Sequence, residues 1–178
     1  MLILCFLTSC AESLEDQAIA PTAEGRKFEI NLEERFYRFG YIHSNEDDNS
    51  RPNPSRHRVF IALTTDNVFA DPGLLRGTTQ LIGLNLEYSR SVGAETFTLD
   101  LRNNRQSGPI SFTRVTVGED HNFSDLRANR SFTLESGELT IQHFNNGGHI
   151  ITLDSRLGGF PLRGSWTGKL REATFVLF

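Results

Sequence analysis

The chain has 178 residues, 38% of them hydrophobic, a formal net charge of −4 at pH 7 and two cysteines. Once a leader is set aside, the length suits one domain, and about 150 residues can bury roughly 68–70% of their unfolded surface without help from a metal or disulfide. The acid excess, with no basic cluster longer than Arg56-His57-Arg58, argues against nucleic acid as a partner, and no apolar run approaches the ~18 residues of a transmembrane helix.

At the front of the chain the apolar run Leu2-Ile3-Leu4-Cys5-Phe6-Leu7 is followed by Thr8, Ser9 and Cys10. Leader and lipidation signals have to be separated from the fold before anything else is read. An apolar segment, a small residue and then a cysteine resembles a bacterial lipobox. The resemblance implies a diacylglycerol thioether on the Cys10 sulfur, cleavage after Ser9, and acylation of the new amine by a chain such as palmitate. Three acyl chains exceed the two signals that stable anchoring needs. The implied address is the outer membrane, with the protein lipid-anchored and facing the periplasm or the cell exterior. Cys5 then leaves with the leader and Cys10 carries the lipid, so no cysteine remains for a disulfide, a thiolate metal site or a nucleophile.

Residues 1–9 are accordingly read as a signal peptide and 10–25 as a lipidated flexible tether. The segment from Ala11-Glu12-Ser13-Leu14-Glu15-Asp16 through Pro21 to Gly25 is acidic, small and turn-rich, as a tether should be. Acidic residues soon after a lipid cysteine also resemble the surface-export signals of Bacteroidota lipoproteins.

Residues 26–178 form a single domain in which the hydrophobic period is two. Phe28, Ile30 and Leu32 alternate with Lys27, Glu29 and Asn31. The aromatic-rich run 35–43 follows, then 57–65 with Val59, Ile61 and Leu63 on one face. Ile82, Leu84, Leu86 and Tyr88 share a face, as do Phe97, Leu99 and Leu101. The run 110–117 changes phase after Phe112, which predicts a β-bulge near Thr113-Arg114. Asp120 to Asn129 could form one helical turn. Phe132 and Leu134, 138–144, 149–154, 161–170 and 173–178 complete the strands. Clean alternation predicts one buried face per strand, the antiparallel pattern. The expected fold is all-β, an antiparallel β-sandwich of about ten strands, with a closed, lipocalin-like β-barrel as the alternative.

The most regular strand is 162–170, with Leu162, Gly164, Trp166, Gly168 and Leu170 on one face and Arg163, Ser165, Thr167 and Lys169 on the other. Glycine on either side of Trp166 leaves room for a buried ring. Gly164-Ser165-Trp166 matches the G-x-W of lipocalins, whose motif lies on the first strand, whereas here it falls on the penultimate one. The wider pattern of Ser136-Gly137-x-Leu139-x-Ile141, Ile151-x-Leu153-Asp154 and Leu162-x-Gly164-x-Trp166-x-Gly168 is similar to the closing strands of β-sandwich domains in Bacteroidota lipoproteins.

Candidate chemistry is sparse. His143 and His149 flank the turn Asn145-Asn146-Gly147-Gly148. With a two- or four-residue loop, Phe144 pairs with His149 and His143 with Ile150, which points the imidazoles to opposite sides. Only an odd-length loop brings them together, so no metal is assigned. Glu46, Asp47 and Asp48 lie in the long loop 44–56, whose spacing fits no calcium loop. A loop of that length is often functional, and it is the first candidate for a binding rim. Tyr37, Phe39 and Tyr41 share parity, which makes Tyr37 and Tyr41 either core residues or a carbohydrate-facing platform. Fourteen phenylalanines against three tyrosines and one tryptophan favour a Phe-filled core. Nucleophile elbows, zincin helices and phosphate loops are absent from the sequence.

These readings converge on a non-catalytic, cofactor-free binding or assembly module of the cell envelope. It is membrane-anchored at Cys10 and meets an envelope protein or a glycan. The alternatives are a glycan-acting hydrolase whose carboxylates are assembled only in three dimensions, and a barrel carrying an apolar ligand.

Overall fold

The structure, a computed structural model, describes residues 25–45, 57–70, 73–88, 93–100, 114–134, 136–157 and 159–175. In chain order its strands are β1 (Arg26–Ile30), β2 (Glu33–Phe36), β3 (Phe39–Asn45), β4 (His57–Thr64), β5 (Phe69–Ala70), β6 (Leu74–Leu75) and β7 (Thr78–Tyr88). They continue with β8 (Gly93–Asp100), β9 (Arg114–Asn122), β10 (Arg130–Thr133), β11 (Ser136–His143), β12 (Gly148–Leu157), β13 (Phe160–Lys169) and β14 (Arg171–Glu172). There is no α-helix among the described residues.

Two six-stranded sheets carry the fold, one ordered β2-β1-β13-β12-β11-β8 and the other β10-β9-β7-β4-β3-β14. Both sheets are open, with an edge strand on either side, so the domain is a sandwich and the closed barrel is set aside. Pairing is antiparallel except where β14 runs parallel to β3. That exception follows from a crossing: β13 ends in the first sheet at Lys169, and the chain enters the second within two residues.

The alternation read from the sequence fills the space between the sheets. Val59, Ile61, Leu63, Ile82, Leu84 and Leu86 from the second sheet meet Phe28, Leu139, Ile141, Ile151, Leu153 and Trp166 from the first. Trp166 pairs with Ile151 on β12. Its ring reaches across to Gly40 on β3, and Gly168 clears its other side. The glycine at 164 serves a different purpose: a Cβ there would meet the backbone of Lys27 and Phe28 on β1.

The second sheet is also covered on its outer face. Tyr41, Ala62, Val68, Leu75, Leu81, Phe123, Ala173 and Phe175 form a separate buried cluster, roofed by the β5–β6 hairpin, the loop after β9 and the segment after β14. The runs Val59-Phe60-Ile61-Ala62-Leu63 and Leu81-Ile82-Gly83-Leu84 are apolar at both parities for this reason.

Several sequence-based boundaries move. Leu32 does not extend the core face of β1. With Asn31 it makes the two-residue β1–β2 turn, at φ 53° and 67°, and its side chain is 76% exposed. Residues 120–129 are not a helical turn either. Asp120 to Asn122 finish β9, and the following loop is closed by Asn122 N–H donating to Arg127 O at 2.6 Å. Within it, Asn122 Oδ1 and Asp125 Oδ1 accept from the backbone two residues on, and such Asx turns compete with helix. Thr113 lies outside the described residues. The register shift that is described falls between Thr79 and Leu81, opposite Gly118 to His121, where Asp120 takes a φ of 49°. The extra residue turns His121 onto the same face as Gly118, into the outer cluster.

Candidate functional site

The residues chosen from the sequence are distributed unevenly. Cys10 and the acidic trio Glu46, Asp47 and Asp48 lie outside the described residues. Tyr37 and Tyr41 are both buried, at 0% and 2% exposure, and they do not share a face. β2 ends at Phe36 in the first sheet and β3 begins at Phe39 in the second, so the chain changes sheet at Tyr37-Arg38. Tyr37 stays bound to β1 through its N–H to Arg26 O at 2.9 Å, and its ring meets Phe28 edge-on in the inter-sheet core. Tyr41 belongs to the outer cluster, stacked on Phe69, with its hydroxyl 3.0 Å from Asn67 Oδ1. Their rings serve packing and offer no platform to a carbohydrate.

Ser44 and Asn45, expected in the loop 44–56, belong to β3 and pair with Val59 and Arg58, and beside the connection that follows them the fold builds a row of side chains. β3 and β4, which the loop joins, pair His43 with Phe60, and β7 continues the row with Asn85. Because Ile42, Val59, Ile61, Leu84 and Leu86 face the inter-sheet core, these three residues face outward. His43 and Phe60 lie 6.3 Å apart with planes 15° from parallel, and His43 leans on Phe175 at 6.0 Å. Arg58, one step nearer the loop, rests over Phe60 at 5.5 Å and donates from Nε to Asn85 Oδ1 at 3.2 Å. His43, Arg58 and Phe60 are each half-buried. The flat faces of His43 and Phe60 are taken up by each other, by Phe175 and by Arg58, so the row offers a partner ring edges and a half-buried guanidinium, a combination suited to apolar contact with a hydrogen-bonding rim. Sequence reasoning passed over this row because Arg58 and Phe60 occupy the parity opposite the core residues. The available signal was the absence of polar alternation in 59–63.

Glu33, Glu119 and Asp120 are each engaged by neighbouring side chains. At one margin of the sandwich, Arg35 on β2 joins the two sheets: its Nη2 lies 3.1 Å from Glu33 and 3.6 Å from Glu119 on β9, and its Nη1 donates to Gln80 Oε1 at 3.1 Å. Asp120 accepts from Gln80 Nε2 and Asn129 Nδ2, both at 2.8 Å. One guanidinium therefore holds Glu33 and Glu119 together, and two amides hold Asp120 in its left-handed conformation. The arrangement ties the two sheets together.

The histidine hairpin differs from its expectation. β11 and β12 pair His143 directly with His149, across an odd-length connection. Gly147 N–H donates to Phe144 O and Phe144 N–H to Gly148 O, both at 2.9 Å, and Gly147 is left-handed at φ 76°. This is the three-residue hairpin in which a turn is followed by a left-handed residue. The imidazoles consequently share a face and stack, with centroids 4.5 Å apart and planes 7° from parallel. Among the described residues, no group of three or more His, Cys, Asp or Glu is placed to hold a metal ion.

Comparison with protein-family models, with curated proteins and with solved structures finds no match for the chain.

Proposed function

We propose that the protein is a non-catalytic binding or assembly module of the cell envelope, held on the outer membrane by lipid at Cys10. It meets its partner, an envelope protein or a glycan, through the loop 44–56 and the adjoining row of His43, Phe60 and Arg58. The observation that carries this reading is the filled interior. The space between the sheets is occupied by Trp166, Tyr37, Phe28 and the aliphatic residues around them, and the outer face of the second sheet is occupied as well. A carrier needs an apolar cavity and a hydrolase needs carboxylates poised across a cleft. Among the described residues side chains fill the interior, and Arg35 holds Glu33 and Glu119 as a bridge between the sheets, which favours recognition at the rims. The tether suits such a role: from Cys10 to Arg26 the chain can span at most about 58 Å when extended.

The test is made in cells carrying the full chain with a photocrosslinking residue in place of Phe60. Labelled palmitate is expected to enter the parent and not Cys10→Ala, and crosslinks to an envelope component are expected only in the lipidated protein. If palmitate is not incorporated, or if Cys10→Ala fractionates with membranes as the parent does, the envelope reading fails. If the lipidated protein gives no crosslink from position 60, the row is not the contact surface.

A further inference from the structure

We propose that His143 and His149 form a two-imidazole site for a borderline divalent transition metal, of the copper(II), nickel(II) or zinc(II) class, at the tip of the β11–β12 hairpin. This site is independent of the tether and of the row beside the loop 44–56.

Register is the first support. A direct cross-strand pair shares a face and holds its Cβ atoms about 4.5–5.5 Å apart, and imidazole is a ligand type that copper, nickel and zinc all accept. The two rings already stand 4.5 Å apart, centroid to centroid. A tetrahedral ion with bonds of about 2.0–2.1 Å needs its two nitrogens roughly 3.4 Å apart. Because the planes are only 7° from parallel, the in-plane lone pairs run side by side, and both rings must turn about χ2, a soft torsion, to converge on one ion.

Rigidity is the second. The turn between the histidines is closed by two backbone hydrogen bonds and by Asn146 Oδ1, which accepts from Gly148 N–H at 2.9 Å. β12 is flanked by β11 and β13 on both sides from His149 to Arg156. Two ligands on so short a closed loop are held near each other before the ion arrives, which reduces the entropy lost on binding.

Space is the third. The row that contains the pair reads Gly93 on β8, His143, His149 and Gly168 on β13. Both flanking positions lack a side chain. At Gly168 the room is taken by the Trp166 ring, but a Cβ on Gly93 would meet nothing within 4 Å. The position beside His143 is therefore free of a side chain, whereas His149 is buried on the face that also carries Ile151 and Trp166. Glu95, paired with Ile141, lies on this same face of β8, one diagonal step from His143. With no third protein ligand in place among the described residues, the remaining coordination positions belong to water or to a group that a partner brings.

The experiment uses the full-length protein and copper(II) or zinc(II) alone as the probe. Titration calorimetry with either ion is expected to give one equivalent bound. Copper(II) electron paramagnetic resonance is expected to show coupling to two nitrogens. His143→Gln and His149→Gln should each weaken binding at least tenfold and reduce the coupling to at most one nitrogen. His43→Gln should leave both readouts unchanged. Affinity in the double variant equal to that of the parent would overturn the site. Should the variants not fold, copper-catalysed oxidation of the parent, mapped by mass spectrometry, decides the matter. Oxidation concentrated at His143 and His149 among the five histidines supports the site, and uniform oxidation or a maximum elsewhere rejects it.

Discussion

Gly40 lies directly beneath the indole of Trp166: a Cβ at position 40 would stand 2.5 Å from Cζ2 and 2.7 Å from Cη2 of that ring. The two residues come from different sheets, and packed sheets lie only about 10 Å apart, so a tryptophan 1% exposed and standing upright on one sheet needs a vacancy on the other. Gly40→Ala should therefore cost about 1–3 kcal/mol through overpacking. Trp166→Leu should cost about 3–5 kcal/mol, as large-to-small changes of an aromatic core residue do. The double variant should cost less than the sum of the two single changes, because the smaller side chain makes room for the new methyl. Urea midpoints of the four proteins measure this coupling, and strict additivity would show that the two residues do not compete for the same space.

The β1–β2 turn carries a removable strain. Asn31 tolerates the left-handed region, but Leu32 sits there at φ 67°, where an L-residue loses about 1–2 kcal/mol and glycine loses little. Since the Leu32 side chain is almost fully exposed, its removal sacrifices no packing. Leu32→Gly should stabilise the protein by about 1 kcal/mol and raise Tm by about 2–4 °C. A lower Tm would mean that the leucine makes a contact that matters more than the turn geometry.

Arg26 couples three elements at the start of the fold. Its Nε donates to Thr167 O at 3.0 Å, its Nη1 donates to Arg38 O at 2.9 Å, and its guanidinium lies 5.8 Å from the Trp166 ring centroid. It thereby fastens β13 to the segment at which the chain changes sheet. Arg26→Ala should cost about 1–2 kcal/mol. Arg26→Lys should recover less than half of that loss, because an ammonium cannot hold two divergent carbonyls as a planar fork does. Thermal unfolding of the two variants distinguishes the fork from a simple positive charge, which lysine would restore in full.

The sandwich was legible because its inter-sheet core follows strict period two: Val59-Ile61-Leu63 and Ile82-Leu84-Leu86 are buried as their alternation requires. What escaped that reading depends on residues that break the period. Leu32 continues the parity of Phe28 and Ile30, yet a hairpin turn removes it from the strand. Tyr37 and Tyr41 have equal parity, but the change of sheet between them sends them to different cores. The His143–His149 stack turned on the parity of a loop, and the asparagines and glycines of 145–148 permit both an even and an odd closure. The outer cluster needs Phe123 and Phe175 to arrive from distant parts of the chain, which local periodicity does not encode.

Two buried groups give the stability opposite slopes at the two ends of the pH scale. Burial lowers the pKa of His121, a shift that Asp125 partly offsets. The unfolded chain, with its imidazole near 6.5, then takes up the proton first. Stability from this group is complete above about pH 6.5 and falls as the pH drops below it, levelling once the folded imidazole is also charged. Tyr37 acts at the other end. Burial raises its pKa, a shift that Arg35 partly offsets, and its hydroxyl has no hydrogen-bond partner among the described residues. The unfolded phenol ionises first, near pH 10, so stability falls as the pH rises through that value. Tyr37→Phe should lessen the alkaline decline, leaving the part due to Tyr41, whose pKa burial also raises. At neutral pH it should leave stability unchanged or slightly higher, since it removes a buried hydroxyl and no hydrogen bond. His121→Gln should flatten the acid limb relative to the parent. Urea midpoints of the three proteins between about pH 4.5 and 11 provide the measurement. A Tyr37→Phe curve that still falls above pH 10 as steeply as the parent's would show that the alkaline loss arises elsewhere.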